Sequence, residues 1–141
     1  MDVSSRQPET IDTAVVPASP FERIGGHEVL RAISNRFYDL MESEPGYAAL
    51  RSIHAEDLTH MRGALASFLA GWAGGPRDWF EGNPGKCMMS LHAPFRISRE
   101  LGAQWAACMQ RAIRETETAD AQVAEAMSDV LFRMASGMGR D

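Results

Sequence analysis

The reading of this chain turns on Ser90-Leu91-His92-Ala93-Pro94-Phe95-Arg96-Ile97. Its one histidine stands between the methionine-rich Cys87-Met88-Met89 and a proline that ends any short helix running through 87–92. Imidazole is a common ligand for iron, and a histidine on a short rigid piece suits a cofactor pocket. Taken alone, the same residue equally describes a packed or capping histidine, which is the commoner case. The surrounding pattern has to decide.

Downstream, Ser98 suits an N-cap, and Leu101, Trp105, Cys108, Met109 and Ala112 then recur on one helical face. A last helix starts at Thr118 or Asp120, turns Val123, Met127, Val130, Leu131 and Met134 inward, and ends before Gly137 and Gly139. Upstream, residues 77–85 hold Gly82, Pro84 and Gly85 and read as an irregular connection. Before it, Leu58, Met61, Leu65, Phe68, Leu69 and Trp72 form an apolar stripe that opens near Asp57 or Thr59 and stops at Gly74-Gly75-Pro76.

Residues 47–52 make a short helix or turn after the break at Pro45-Gly46. From His27 to about Glu44, Val29, Leu30, Ile33, Phe37, Leu40 and Met41 recur at helical steps. Phe21-Glu22-Arg23-Ile24 forms a helical turn stopped by Gly25-Gly26. No segment alternates apolar and polar residues long enough for a strand, so the fold class is all-α. One domain over 21–138 is expected, with a flexible tail at 1–20 broken by prolines and hydroxyl residues, and a short one at 139–141.

Composition narrows the function. A formal charge of -5 leaves no basic face for nucleic-acid phosphates, and no Lys/Arg run suggests an anionic membrane surface. The apolar run 64–73 is interrupted by Ser67 and Gly71 and is far too short to span a bilayer. The first residues do not read as a secretory signal, and a cytoplasmic location is expected. Two cysteines, Cys87 and Cys108, support neither a disulfide framework nor a zinc site. Nine methionines fit gap-filling in a helical core.

Several short signatures occur in a fixed order: Phe21-Glu22-Arg23-Ile24-Gly25-Gly26, then Phe37-Tyr38-Asp39, then Phe68-Leu69 with Trp72 and Gly74-Gly75-Pro76. His92-Ala93-Pro94-Phe95 with Ile97, and Trp105 with Met109, complete the series. Together they resemble a truncated haemoglobin of group II (O-type), from about Phe21 to Met138. The resemblance implies a two-over-two helical sandwich around haem b (iron protoporphyrin IX), with His92 as proximal iron ligand.

On the ligand side it points to Tyr38, His54 and Trp105, with Met61 and Leu65 on the same wall. Phe68, Met89, Phe95 and Ile97 are expected to complete the haem pocket. Phenol O–H, indole Nε1–H and imidazole N–H are the donor types that suit a ligand whose outer atom carries partial negative charge. One such bond is worth roughly 1.5–3 kcal/mol, or about ten- to a hundredfold in escape rate. His60 is given no role.

The segment before the histidine departs from the family pattern. Arginines usual there are replaced by Met89 and Leu91, so Lys86 and Arg96 become the candidates for pairing with the haem propionates. As surface charges, either is equally at home in solvent.

The expected function is a haem globin that binds, and in that sense transports, dioxygen and other diatomics such as carbon monoxide and nitric oxide. A nitric oxide dioxygenase or peroxidase-like enzyme is the second reading; without a flavin or nicotinamide fingerprint it needs an external reductase. A sensor or interaction module with weakened haem binding is the third. An exposed apolar helix face would pair two copies into a homodimer.

Overall fold

The computed structural model describes residues 18–84 and 98–138. Ser19 opens the first helix, α1 (Pro20–Ile24), through a reciprocal capping box. Its hydroxyl accepts from Glu22 N–H at 3.2 Å, and the Glu22 carboxylate accepts from Ser19 N–H at 3.2 Å. Ser19 and Pro20, read from sequence as the end of a tail, therefore belong to the folded unit. Gly25, at φ 124°, ends α1 in backbone space that side chains avoid and starts α2 (Gly26–Ser43).

The expected periodicity appears in α2, which buries Leu30, Ile33, Phe37, Leu40 and Met41 together with Tyr38. A 3-10 turn (Pro45–Tyr47) and α3 (Ala48–Ser52) follow. Helix α4 (Thr59–Trp72) begins where the Asp57 carboxylate accepts from Thr59 N–H at 2.9 Å, which holds that carboxyl below the usual carboxylate range. Segment 77–85 differs from expectation. Gly82 ends a helical turn, α5 (Asp78–Gly82), with Pro84 just beyond it; the turn is started by acidic Asp78 and anchored by Trp79 and Phe80, which both pack on Phe68. Adjacent aromatics outweighed the local breakers.

Helix α6 (Arg99–Arg114) is capped by Ser98, whose hydroxyl accepts from Leu101 N–H at 3.1 Å. Helix α7 (Ala121–Met138) is led by Asp120, whose Oδ1 accepts from the N–H groups of Gln122 and Val123 at 3.0 and 3.1 Å. No strand occurs among the described residues. The expected helix at 87–92 and both expected termini, 1–17 and 139–141, lie outside them.

Two helix pairs build the molecule: α2 packs on α4, α6 packs on α7, and α2 also lies against α6. Their shared core is one cluster running from Ile24 through Phe37, Met41 and Leu69 to Met109 and Leu131. At its centre the Cys108 thiol donates to the Phe37 carbonyl at 3.3 Å, and burial pushes that thiol up to about 12.

Two of the sequence signatures meet at one corner. Phe21 N–H donates to the Ala73 carbonyl at 2.9 Å, and its ring lies so close to Gly75 that a Cβ there would sit 2.5 Å from it. Ala119 N–H closes the corner on the Ile24 carbonyl at 2.9 Å, and Arg23 pairs with Asp120 at 3.0 Å. Among the described residues no helix is long and apolar enough to cross a membrane.

Candidate functional site

Helix α4 carries two adjacent lines of side chains. Met61, Leu65 and Phe68 form one; His60, Ala64 and Ser67 form the other, at the same four- and three-residue steps. Both border a cavity of about 640 Å³, within the roughly 300–1,000 Å³ typical of small-molecule and cofactor sites. Tyr38 from α2 and Trp105 from α6 form its inner wall, while Ile53, His54 and Ala55 enter from the α3–α4 connection. Asp78, Trp79 and Asn83 close the α5 end.

The inner wall is held rigidly. Phe37 packs edge-on against Tyr38 at 4.9 Å and tilted against Trp105 at 5.3 Å. Arg62 ties α4 to α2: it pairs with Asp39 at 2.9 Å, donates to the Asn35 carbonyl at 3.0 Å, and stands 5.9 Å from the Tyr38 ring centre. Ser34 fastens the same place by donating to the Arg62 carbonyl at 2.7 Å. Leu50 N–H donates to Gln104 Oε1 at 3.1 Å, which fixes α3 on α6. The His54 ring stands edge-on to Tyr38 at 6.1 Å, with Nδ1 2.8 Å from the Leu50 carbonyl.

Tyr38 and Trp105 are only 3% and 6% exposed, yet neither side chain hydrogen-bonds another group among the described residues. Buried phenol and indole groups ordinarily find a partner. Here both border the cavity, so their O–H and N–H are available to whatever fills it. Burial raises the Tyr38 phenol well above the ordinary tyrosine range, and the Arg62 charge offsets only part of that rise. The phenol therefore keeps its proton and stays a donor.

Of the residues anticipated from sequence, Tyr38, His54, Met61, Leu65, Phe68 and Trp105 share this one cavity. His92, Met89, Phe95, Ile97, Lys86 and Arg96 lie outside the described residues. Sequence reading missed Ile53, Ala55, His60, Ala64, Ser67, Asp78, Trp79 and Asn83. A signal existed for three of them, because His60, Ala64 and Ser67 run parallel to the apolar line one residue away. Asn83 was hidden by its loop setting; its amide donates to the Trp79 carbonyl at 2.7 Å and fixes the end of α5.

This wall suits a flat, largely apolar cofactor. Met61, Leu65, Phe68 and the two indoles supply apolar surface, and polar groups sit at edges. Among the described residues no group of three or more His, Cys, Asp or Glu side chains is placed to hold a metal ion.

The family model of the bacterial-like globins matches residues 19–139. The chain belongs to that family, as a group II truncated haemoglobin. Solved structures agree. The cold-adapted truncated haemoglobin of the Antarctic marine bacterium Pseudoalteromonas haloplanktis is 30% identical, with 88% of this chain and 99% of that one covered and a TM-score of 0.81. The group II 2-on-2 haemoglobin of Agrobacterium tumefaciens is 29% identical over 90% of this chain and 98% of that one, at a TM-score of 0.82. The group II truncated haemoglobin of Bacillus anthracis is 26% identical over 88% and 92%, at 0.76. The two helix pairs of this truncated haemoglobin are thus the two-over-two sandwich of a haem-binding globin.

Proposed function

We propose that this globin binds dioxygen and other diatomic ligands reversibly, with haem b held through His92 and the ligand met by Tyr38, Trp105 and His54. The observation that supports the reading is a pair of donor side chains, phenol and indole, that border one cavity and hydrogen-bond no other group among the described residues. The haem would supply an iron able to take a diatomic ligand. The chain supplies the rest: largely apolar walls, a Phe37–Tyr38–Trp105 aromatic group, and donor side chains among the lining residues.

Such donors favour a ligand whose outer atom carries negative charge, so dioxygen gains more than carbon monoxide. Lys86 and Arg96 remain the proposed partners of the haem carboxylates, and a cytoplasmic setting is proposed with them. At the described edge of the cavity His60, Ser67 and Asn83 add polar groups, opposed by the like charge of Asp78.

Haem titration into the purified chain tests the reading. A Soret band and a reversible oxy spectrum are expected. His92→Gly should lose the normal ferrous spectrum, with free imidazole restoring it. An unchanged ferrous spectrum in that variant would remove His92 from the proposal, and a missing Soret band in the parent would end it.

A further inference from the structure

Tyr38 borders the cavity, and its phenol hydrogen-bonds no other group among the described residues, so packing sets where that ring stands. Phe37 packs edge-on against it at 4.9 Å, and the His54 ring stands at 6.1 Å. A further neighbour is a cation: the Arg62 guanidinium lies over the ring, 5.9 Å from its centre.

That placement is fixed from α2 itself. Asn35, Asp39 and Glu42 follow one another at four- and three-residue steps, with Tyr38 beside them on the same side of the helix. One terminal nitrogen of Arg62 donates to the Asn35 carbonyl and side-chain oxygen at 3.0 and 3.4 Å. The other meets Asp39 and Glu42 at 2.9 and 3.4 Å. At the backbone end, Ser34 donates to the Arg62 carbonyl at 2.7 Å. A planar guanidinium held through both terminal nitrogens keeps its place over the ring, as a single ammonium would not.

We propose that Arg62 is a positioning residue for ligand binding: its clamped charge holds the Tyr38 ring against the cavity and strengthens the phenol as a donor to a polar diatomic ligand. The inference rests on the proposed ligand-binding function. A cation at a ring face draws electron density from the ring, and so from the phenolic O–H. The same charge works against the burial that raises the phenol. Asp39 and Glu42 are 54% and 45% exposed against 22% for Arg62, so solvent screens the two carboxylates more than the cation. As a fastening between helices, such exposed pairs add little stability.

A double-replacement cycle on the haem-loaded protein tests this, read through dioxygen release and the C–O stretch of the carbon monoxide complex. Arg62→Gln should speed release about threefold, part of the ten- to a hundredfold worth of a whole hydrogen bond, and raise the C–O frequency toward that of Tyr38→Phe. Arg62→Lys, which keeps the charge without the fork, should fall between. In the Tyr38→Phe background both replacements should change nothing. The chain has two tyrosines, Tyr38 and Tyr47, so isotope labelling at tyrosine Cζ adds a magnetic-resonance readout that needs no ligand. Arg62→Gln should move the Tyr38 signal and leave that of Tyr47. Should Arg62→Gln not fold, Arg62→Lys carries the same comparisons. Unchanged release and stretch, an equal change in the Tyr38→Phe background, or an unmoved Tyr38 signal would overturn the inference and leave the globin function standing. An absent Soret band would overturn both.

Discussion

Two regions of this globin solve opposite problems with similar residues. At the corner where α1 meets the Gly74–Pro76 turn and the start of α7, the polar groups close on one another. Ser19 and Glu22 cap reciprocally, Phe21 donates to Ala73, Ala119 donates to Ile24, and Arg23 pairs with Asp120. Along the cavity wall, Tyr38 and Trp105 are buried just as well, yet neither side chain hydrogen-bonds another group among the described residues. The corner converts hydrogen bonds into stability, whereas on the proposed function the wall would spend its donors on a ligand. Changes at the corner should therefore move melting temperature and leave ligand kinetics alone, and changes at the wall should do the reverse.

The largest effect is expected at the wall. Tyr38→Phe removes a donor and should speed dioxygen release about ten- to a hundredfold. Its unfolding free energy should stay level or rise slightly, because no hydrogen bond among the described residues is lost. A marked loss of stability in denaturant titration would erase the contrast.

At the corner, Gly75→Ala sets a methyl against the Phe21 ring and should lower stability by about 1–3 kcal/mol through overpacking. Dioxygen release from the folded fraction should match the parent. Ser19→Ala breaks the capping box and should cost about 1 kcal/mol, read as a lower midpoint in urea.

The smallest effect concerns acid. The backbone N–H of Val123, then the Arg23 guanidinium, hold the Asp120 carboxyl below the usual carboxylate range. A carboxyl whose folded value lies below its unfolded one contributes stability above the ordinary Asp range and loses it as pH falls through the folded value. Asp120→Asn should therefore lower stability near neutrality and flatten the further loss below about pH 4, the ordinary Asp region. Thermal melts from pH 3 to 7 compare the two chains.

The long helices were legible because each buries a face at three- and four-residue steps, as Leu30, Ile33, Phe37 and Met41 do in α2. Tyr38, His54 and Trp105 were legible only through family signatures. Nothing in residue spacing says that side chains 67 positions apart share one cavity. Helix α5 was not legible, because Gly82 and Pro84 speak locally for a loop while Trp79 and Phe80 are decided by a distant partner, Phe68. The contact of Arg62 with Tyr38 was beyond any sequence reading, since it depends on which ring the guanidinium meets across two helices. Of the two lines on α4, the sequence reading took up only the apolar one, and the cavity shows that the His60 line borders it as well.

The thiol of Cys108 offers a use unrelated to gas binding. It is sealed in the core, bonded to the Phe37 carbonyl, and held protonated near neutrality, so alkylating reagents should ignore it in the native protein. Once the contact between α2 and α6 opens, it becomes a target. With Cys87 replaced by Ser, the rate of maleimide incorporation at Cys108 would clock the spontaneous breathing of the core, with no dye and no added probe site.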